Sequence, residues 1–227
     1  MSDRPRQRPV IGRRSFLTRA TLAGAMSLAP SLAKAGSSDP AQDAQLPLVN
    51  PEKPMPETVT AEEIKALLKL EPNATCGFVR ETYKSDLTIA PGGLPAPFAE
   101  GRPLGSALYF MMTPQAPVKL HRIKNDQLYH YYLGDPIEVL LLRENGLSEL
   151  VVVGPNLVGG HLVQLFIPGN TFYTARITGK RRWFLGASTE WPGVVPEDVE
   201  LGNVEELAAK YPDAAADIRN FPEPTEK

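Results

Sequence analysis

The side chains most able to do chemistry crowd into residues 119–135, Lys-Leu-His-Arg-Ile-Lys-Asn-Asp-Gln-Leu-Tyr-His-Tyr-Tyr-Leu-Gly-Asp. Two of the three histidines, His121 and His130, lie there; His161 follows Gly159-Gly160 and reads as a loop residue. Neutral imidazole carries protons near neutral pH and is the commonest metal ligand, so His121 and His130 are the metal candidates. With three histidines and one cysteine the chain has few soft donors, and a divalent metal is expected to bind weakly. No other cofactor is indicated. Along a strand, Gln127 and His130 point to opposite faces, so a site using both needs a bulge between them. Tyr129, Tyr131, Phe172 and Tyr173 offer rings that could wall a sugar, although core packing is their plainer role. Arg80 and Arg176 carry planar forks suited to a carboxylate or phosphate. Nothing beside Cys76 suggests a lowered pKa, and it reads as a small inert apolar residue.

The elements that must position these residues are short. From Phe78 to Thr189 the chain alternates brief apolar runs with turn residues. Strands are expected at 78–83, 107–112, 119–123, 128–132, 137–143, 148–153, 162–167, 172–177 and 183–187. Asn145-Gly146 lies between two of them and is a hairpin signal. Gly134-Asp135-Pro136, Gly154-Pro155-Asn156 and Pro168-Gly169-Asn170 mark further turns. Many short strands at regular spacing predict a barrel or sandwich. Thr60 and Glu63 form a capping box opening a helix over 61–70, and Asn203 caps another near 204–210.

The N-terminus reads as a targeting segment, not as fold. Arg13-Arg14-Ser15-Phe16-Leu17 pairs two arginines with bulky apolar residues. The moderately apolar run Ala20–Ala33 follows, and Ala33-Lys34-Ala35 offers a small-x-small cleavage site. This is the pattern of twin-arginine export, which carries folded proteins to the periplasm or outside the cell. Residues 1–35 form that signal, 36–59 a flexible proline-rich lead-in, 60–212 the domain and 213–227 a C-terminal tail. The signal holds seven basic residues and one acid. Removing its +6 from the whole-chain −2 leaves about −8. A chain that negative is a poor partner for nucleic acid or anionic membranes. One cysteine excludes an internal disulfide and a cysteine zinc site.

His121, Ile123, Gln127 and Gly134 stand at the spacing H-x-I-x3-Q-x6-G. This resembles the first cupin motif, with Ile at the place of a second His and Gln at the place of a Glu. Pro168-Gly169-Asn170-Thr171-Phe172-Tyr173 resembles the second, with Asn170 for a glycine and Tyr173 for a histidine. The flanks resemble one subfamily, cupin-5, a domain of unknown function, over roughly residues 60–212. The shared runs are Glu71–Ser85 (with Arg80-Glu81-Thr82-Tyr83), His121–Pro136, Trp191-Pro192-Gly193 and Glu197–Leu201.

The resemblance implies an all-β double-stranded β-helix, the cupin jelly roll, with short helices at both ends, commonly a homodimer with an interior pocket. It places His121, Gln127 and Tyr173 at first-shell positions, adds Arg80 and Tyr83 from the start motif, and sets Tyr131 on Gln127's strand face. A cupin metal normally has three His and one Glu; of these only His121 is present. An amide in place of the glutamate cannot titrate, which removes an acid-base role there. The expected function is an exported cupin binding a small polar or sugar-like molecule. The alternative is a cupin enzyme, an isomerase or epimerase working through His121 and Tyr173, or a metal-dependent oxygenase.

Overall fold

The computed structural model describes residues 59–180 and 182–221. The expected signal, 1–35, and nearly all of the lead-in lie outside the described residues. The first element among the described residues is helix α1 (Ala61–Leu68). Its capping box is formed as expected: the Glu63 N–H donates to Thr60 Oγ1 (3.2 Å), and the Thr60 N–H donates to Glu63 Oε2 (2.8 Å). Such a cap is worth about 1 kcal/mol, which Thr60→Ala would remove. Ile64 is the buried residue of α1 and packs with Leu70, Met111, Trp183 and Leu185.

Among the described residues thirteen strands follow: β1 (Glu71–Pro72), β2 (Phe78–Lys84), β3 (Thr88–Ile89), β4 (Arg102–Pro103), β5 (Ser106–Met112), β6 (Val118–Ile123), β7 (Asp126–Gly134), β8 (Ile137–Leu142), β9 (Ser148–Val153), β10 (Gln164–Ile167), β11 (Phe172–Ile177), β12 (Phe184–Trp191) and β13 (Val199–Leu201). They form a six-stranded sheet in the order β1-β2-β5-β12-β7-β10 and a five-stranded sheet in the order β13-β6-β11-β8-β9, with β3-β4 as a separate pair. All named pairings are antiparallel. The two large sheets face each other as a jelly roll, as the strand pattern predicts. Between them lie Phe110, Met112, Val118, Tyr129, Val139, Leu141, Ile167, Tyr173 and Phe184, all almost wholly buried.

Strand β8, Ile-Glu-Val-Leu-Leu-Leu, is apolar at nearly every position because both its faces are covered. Val139 and Leu141 face the interior. Leu140 and Leu142 face outward under helices α2 (Val204–Lys210) and α3 (Ala215–Asn220), against Leu207, Ala208, Tyr211, Ile218 and Phe221. This corrects the expected domain end. Residues 213–221 are not a tail: Ile218 and Phe221 are buried, because the outer face of β8 needs apolar cover. At roughly 25 cal/mol per Å² of apolar surface, two such side chains contribute several kcal/mol.

Candidate functional site: a half-polar cavity between the sheets

The rows of the six-stranded sheet place the site. Cross-strand pairing aligns Lys84, Ser106, Glu190 and Gln127 on β2, β5, β12 and β7. The next inward row is Glu81, Leu108, Ser188 and Tyr129, and the next is Val79, Phe110, Gly186 and Tyr131. On the facing sheet, Leu201, His121 and Tyr173 lie side by side across β13, β6 and β11. Together these surfaces enclose a cavity of about 620 Å³, lined by Cys76, Glu81, His121, Ile123, Gln127, Tyr129, Tyr173, Ser188 and Glu190 among others. That volume lies within the range of small-molecule sites.

Local sequence sets the ends of the motifs. Gly134 turns out of β7 at φ +92°, where a Cβ would lie 2.3 Å from the Trp183 carbonyl oxygen. Asn170, ahead of β11, stands at φ +62°, a left-handed conformation that glycine adopts freely and asparagine tolerates. The second motif therefore keeps its turn without its glycine, and Tyr173 still arrives opposite His121.

A directed chain of hydrogen bonds crosses the cavity. His121 Nδ1 lies 2.7 Å from the Lys119 carbonyl oxygen. A carbonyl only accepts, so Nδ1 carries the proton and Nε2 is left with its lone pair. Tyr173 Oη is 2.8 Å from that Nε2 and donates to it. Tyr129 O–H in turn donates to Tyr173 Oη at 3.1 Å, joining the two sheets. Gln127 Oε1 stands 3.3 Å from both Tyr173 Oη and Ser188 Oγ. Tyr173 has one proton and gives it to the nearer His121, so Ser188 is the donor to Gln127. Burial lowers the His121 pKa to about 4. It also lifts Tyr129 and Tyr173 well above the ordinary tyrosine value and pushes Cys76 up to about 11. All four are neutral at pH 7.

Nothing in the motif spacing points to Glu190. The sequence pattern places strand β12 at 183–187; the signal for its continuation is the polar alternation Ser188, Glu190 along the inward face. The Glu190 carboxyl is 2 % exposed. Its Oε2 accepts from Ser106 O–H at 2.6 Å, and Ser106 Oγ accepts from the Val194 N–H at 3.1 Å. Desolvation raises its pKa above the usual carboxylate value.

Three of the six expected ligand-binding residues come together in the cavity: His121, Gln127 and Tyr173. The other three do not. Arg80 alternates with Val79 and Glu81 and so points outward, where its guanidinium donates to the Leu68 carbonyl (3.2 Å). A bulge between Glu81 and Tyr83 shifts the register of β2, turning Lys84 inward and leaving Tyr83 58 % exposed. Tyr131 faces inward but at the closed apolar end, beside Phe184, with its hydroxyl donating to the Gly134 carbonyl (2.9 Å). His130 stands on the outer face, Nε2 against Thr189 Oγ1 (3.0 Å) and Nδ1 against Gln164 (3.2 Å). It shares no site with His121.

The donor set does not fit a cupin metal. The His121 lone pair that would face a metal is taken by the Tyr173 proton, Ile123 has no donor atom, and Gln127 and Tyr173 are neutral. Among the described residues no group of three or more His, Cys, Asp or Glu is placed to hold an ion.

A family model described as "Cupin superfamily (DUF985)" matches residues 62–202, more than half of the chain. The chain belongs to the cupin superfamily. Among solved structures this cupin is similar to a hypothetical protein from Leishmania major at 24% identity and a TM-score of 0.64, covering 72% of this chain and 98% of that one. A protein from Shewanella oneidensis matches at 23% identity and 0.65, covering 74% and 99%. Both likenesses show the fold. Oxalate decarboxylase from Bacillus subtilis matches at 17% identity and a TM-score of 0.40, over 36% of its length, which carries nothing of its reaction to this cupin. No curated protein matches the chain.

Proposed function

We propose that this cupin is an exported binding protein that captures a small polar molecule in the cavity between its sheets. One observation carries the reading. A chain of polar groups across the cavity is held neutral and already hydrogen-bonded, from Tyr129 through Tyr173 to His121 and the Lys119 carbonyl. Such a wall is pre-organised to exchange hydrogen bonds with a ligand and poorly suited to proton transfer. A general acid or base works best with a pKa near the operating pH. His121 at about 4 and Tyr173 well above 10 both lie far from it. This disfavours the isomerase or epimerase reading, and the misfit to a metal disfavours the oxygenase.

The test is native mass spectrometry of untagged protein, followed by identification of any released molecule. A stoichiometric small molecule lost in His121→Ala, with the circular dichroism spectrum unchanged, supports the reading. Stoichiometric iron, zinc or nickel would replace it with a metalloenzyme. Export rests on Arg13-Arg14: the Lys-Lys variant should stay in the cytoplasm, and normal periplasmic amounts would exclude the twin-arginine route. The homodimer implied by the resemblance belongs to the same reading, and a monomer in sedimentation would remove it.

A further inference from the structure

We propose that the molecule this cavity takes is a small organic amine, and that Glu190 holds its cationic nitrogen. The inference rests on the binding reading above and adds the ligand's chemical class. It starts from the wiring around Glu190. Ser106 Oγ already accepts from the Val194 N–H, so its own proton is free to point at Glu190 Oε2. The 2.6 Å separation lies in the range of a hydroxyl donating to an ionised carboxylate. Ser188 turns its own proton to Gln127 Oε1. The surroundings are therefore arranged for the anion.

A buried anion is costly without a cation. Three acids are buried among the described residues: Asp135, Glu190 and Asp198. Asp198 is paired with Arg102, and Asp135 with Arg182. Glu190 forms no ion pair among the described residues. Lys84, the cation of its own row, lines the same cavity, but it stands beyond Ser106 with an exposed side chain and forms no ion pair with Glu190. The other titratable groups facing the cavity are Glu81 from β2, a further negative charge, and His121, Cys76, Tyr129 and Tyr173, all neutral at pH 7. The missing cation is the ligand's.

The surrounding atoms suit an ammonium group. Its three N–H donors meet the Glu190 carboxylate, Gln127 Oε1 across the β12–β7 pair, and Ser188 Oγ between them. Leu108, Phe110, Ile123 and Val195 form an apolar stretch of the wall that receives a hydrocarbon body. A hard metal ion demands several oxygen ligands, whereas the cavity sets one fully buried carboxylate here.

The test is calorimetric titration of the full-length protein and its Glu190→Gln variant at neutral pH with four probes: benzylamine, benzyl alcohol, benzoate and calcium chloride. Benzylamine should bind the wild type at least tenfold more tightly than benzyl alcohol, with benzoate weakest. Glu190→Gln should lose that tenfold and leave the alcohol unchanged. Equal amine and alcohol affinities, or an amine preference surviving in Glu190→Gln, would overturn the amine assignment while the binding reading stands. Calcium that displaces benzylamine would overturn it in favour of an ion site. No binding by any probe would remove both readings. Should the variant fail to fold, the wild type alone decides. Its amine preference should fade as pH is lowered from neutrality and Glu190 takes up a proton, which burial makes it do earlier than an ordinary carboxylate, while benzylamine stays cationic. A pH-independent preference overturns the proposal.

Discussion

Two buried acids in this molecule are solved in opposite ways. Asp198, 1 % exposed, receives two bonds from one guanidinium, Arg102 Nε to Oδ2 (3.1 Å) and Nη2 to Oδ1 (2.8 Å). The Val195 N–H adds a third, and Lys124 Nζ stands 3.7 Å away. Glu190, 2 % exposed, receives the Ser106 hydroxyl and opens onto a cavity. In the first case charge, donors and space are all accounted for by the protein, and the pair ties β4 to the segment before β13. In the second a donor is present and no cation is paired with the acid among the described residues. Burial alone does not mark a functional acid; burial facing a cavity without a paired cation does.

That contrast is sharpest in the response to truncation. Asp198→Ala leaves the Arg102 guanidinium buried and uncompensated, so urea denaturation should show a loss of about 3–5 kcal/mol. A loss below about 1 kcal/mol would mean that water reaches Arg102, and the contrast with Glu190 would collapse.

His121→Ala should cost less, about 1–3 kcal/mol, because it strands the Tyr173 hydroxyl and the Lys119 carbonyl. Its pH dependence has a definite sign. The folded pKa of about 4 lies below the unfolded value near 6.5. Between those values the unfolded chain binds the extra proton, so stability is full above about 6.5 and is lost as pH falls towards 4. In His121→Ala that acid-side decline should flatten; an unchanged profile would assign it elsewhere.

Glu190→Gln should act in the opposite sense and by less, a gain within about 1 kcal/mol at neutral pH. Burial raises the folded pKa of Glu190 above its unfolded value. Between the two, the native state holds the extra proton, so stability falls as pH rises through that window. Removing the charge removes the fall. The melting temperature of the variant should exceed wild type at pH 7 and converge with it in acid. A variant less stable than wild type at pH 7 would mean that the carboxylate has a cationic partner of its own, as Asp198 does.

The smallest effect belongs to Tyr83→Ala, expected within about 0.5 kcal/mol and without effect on ligand affinity, because the ring is largely in solvent. A tenfold affinity loss would return Tyr83 to the cavity and undo the register given to β2.

Much of the fold is legible in the sequence because it is written in short-range patterns. Alternation and turn residues locate β5 to β12 within a few residues, Thr60 and Asn203 cap the helices, and motif spacing brings His121, Gln127 and Tyr173 to one place. Each signal spans a few neighbouring residues, the range over which chain geometry acts. What tertiary structure decided is pairing across the sheets. The bulge in β2 turns Tyr83 out and Lys84 in, because register against β5 overrides simple alternation. The C-terminal segment becomes helix α3 because the outer face of β8 needs cover. Glu190 becomes the charged wall of the cavity only when β12 lies between β5 and β7, setting it between Ser106 and Gln127. Residues far apart in the chain acquire a shared dielectric and shared protons by being buried together, and no local pattern encodes that.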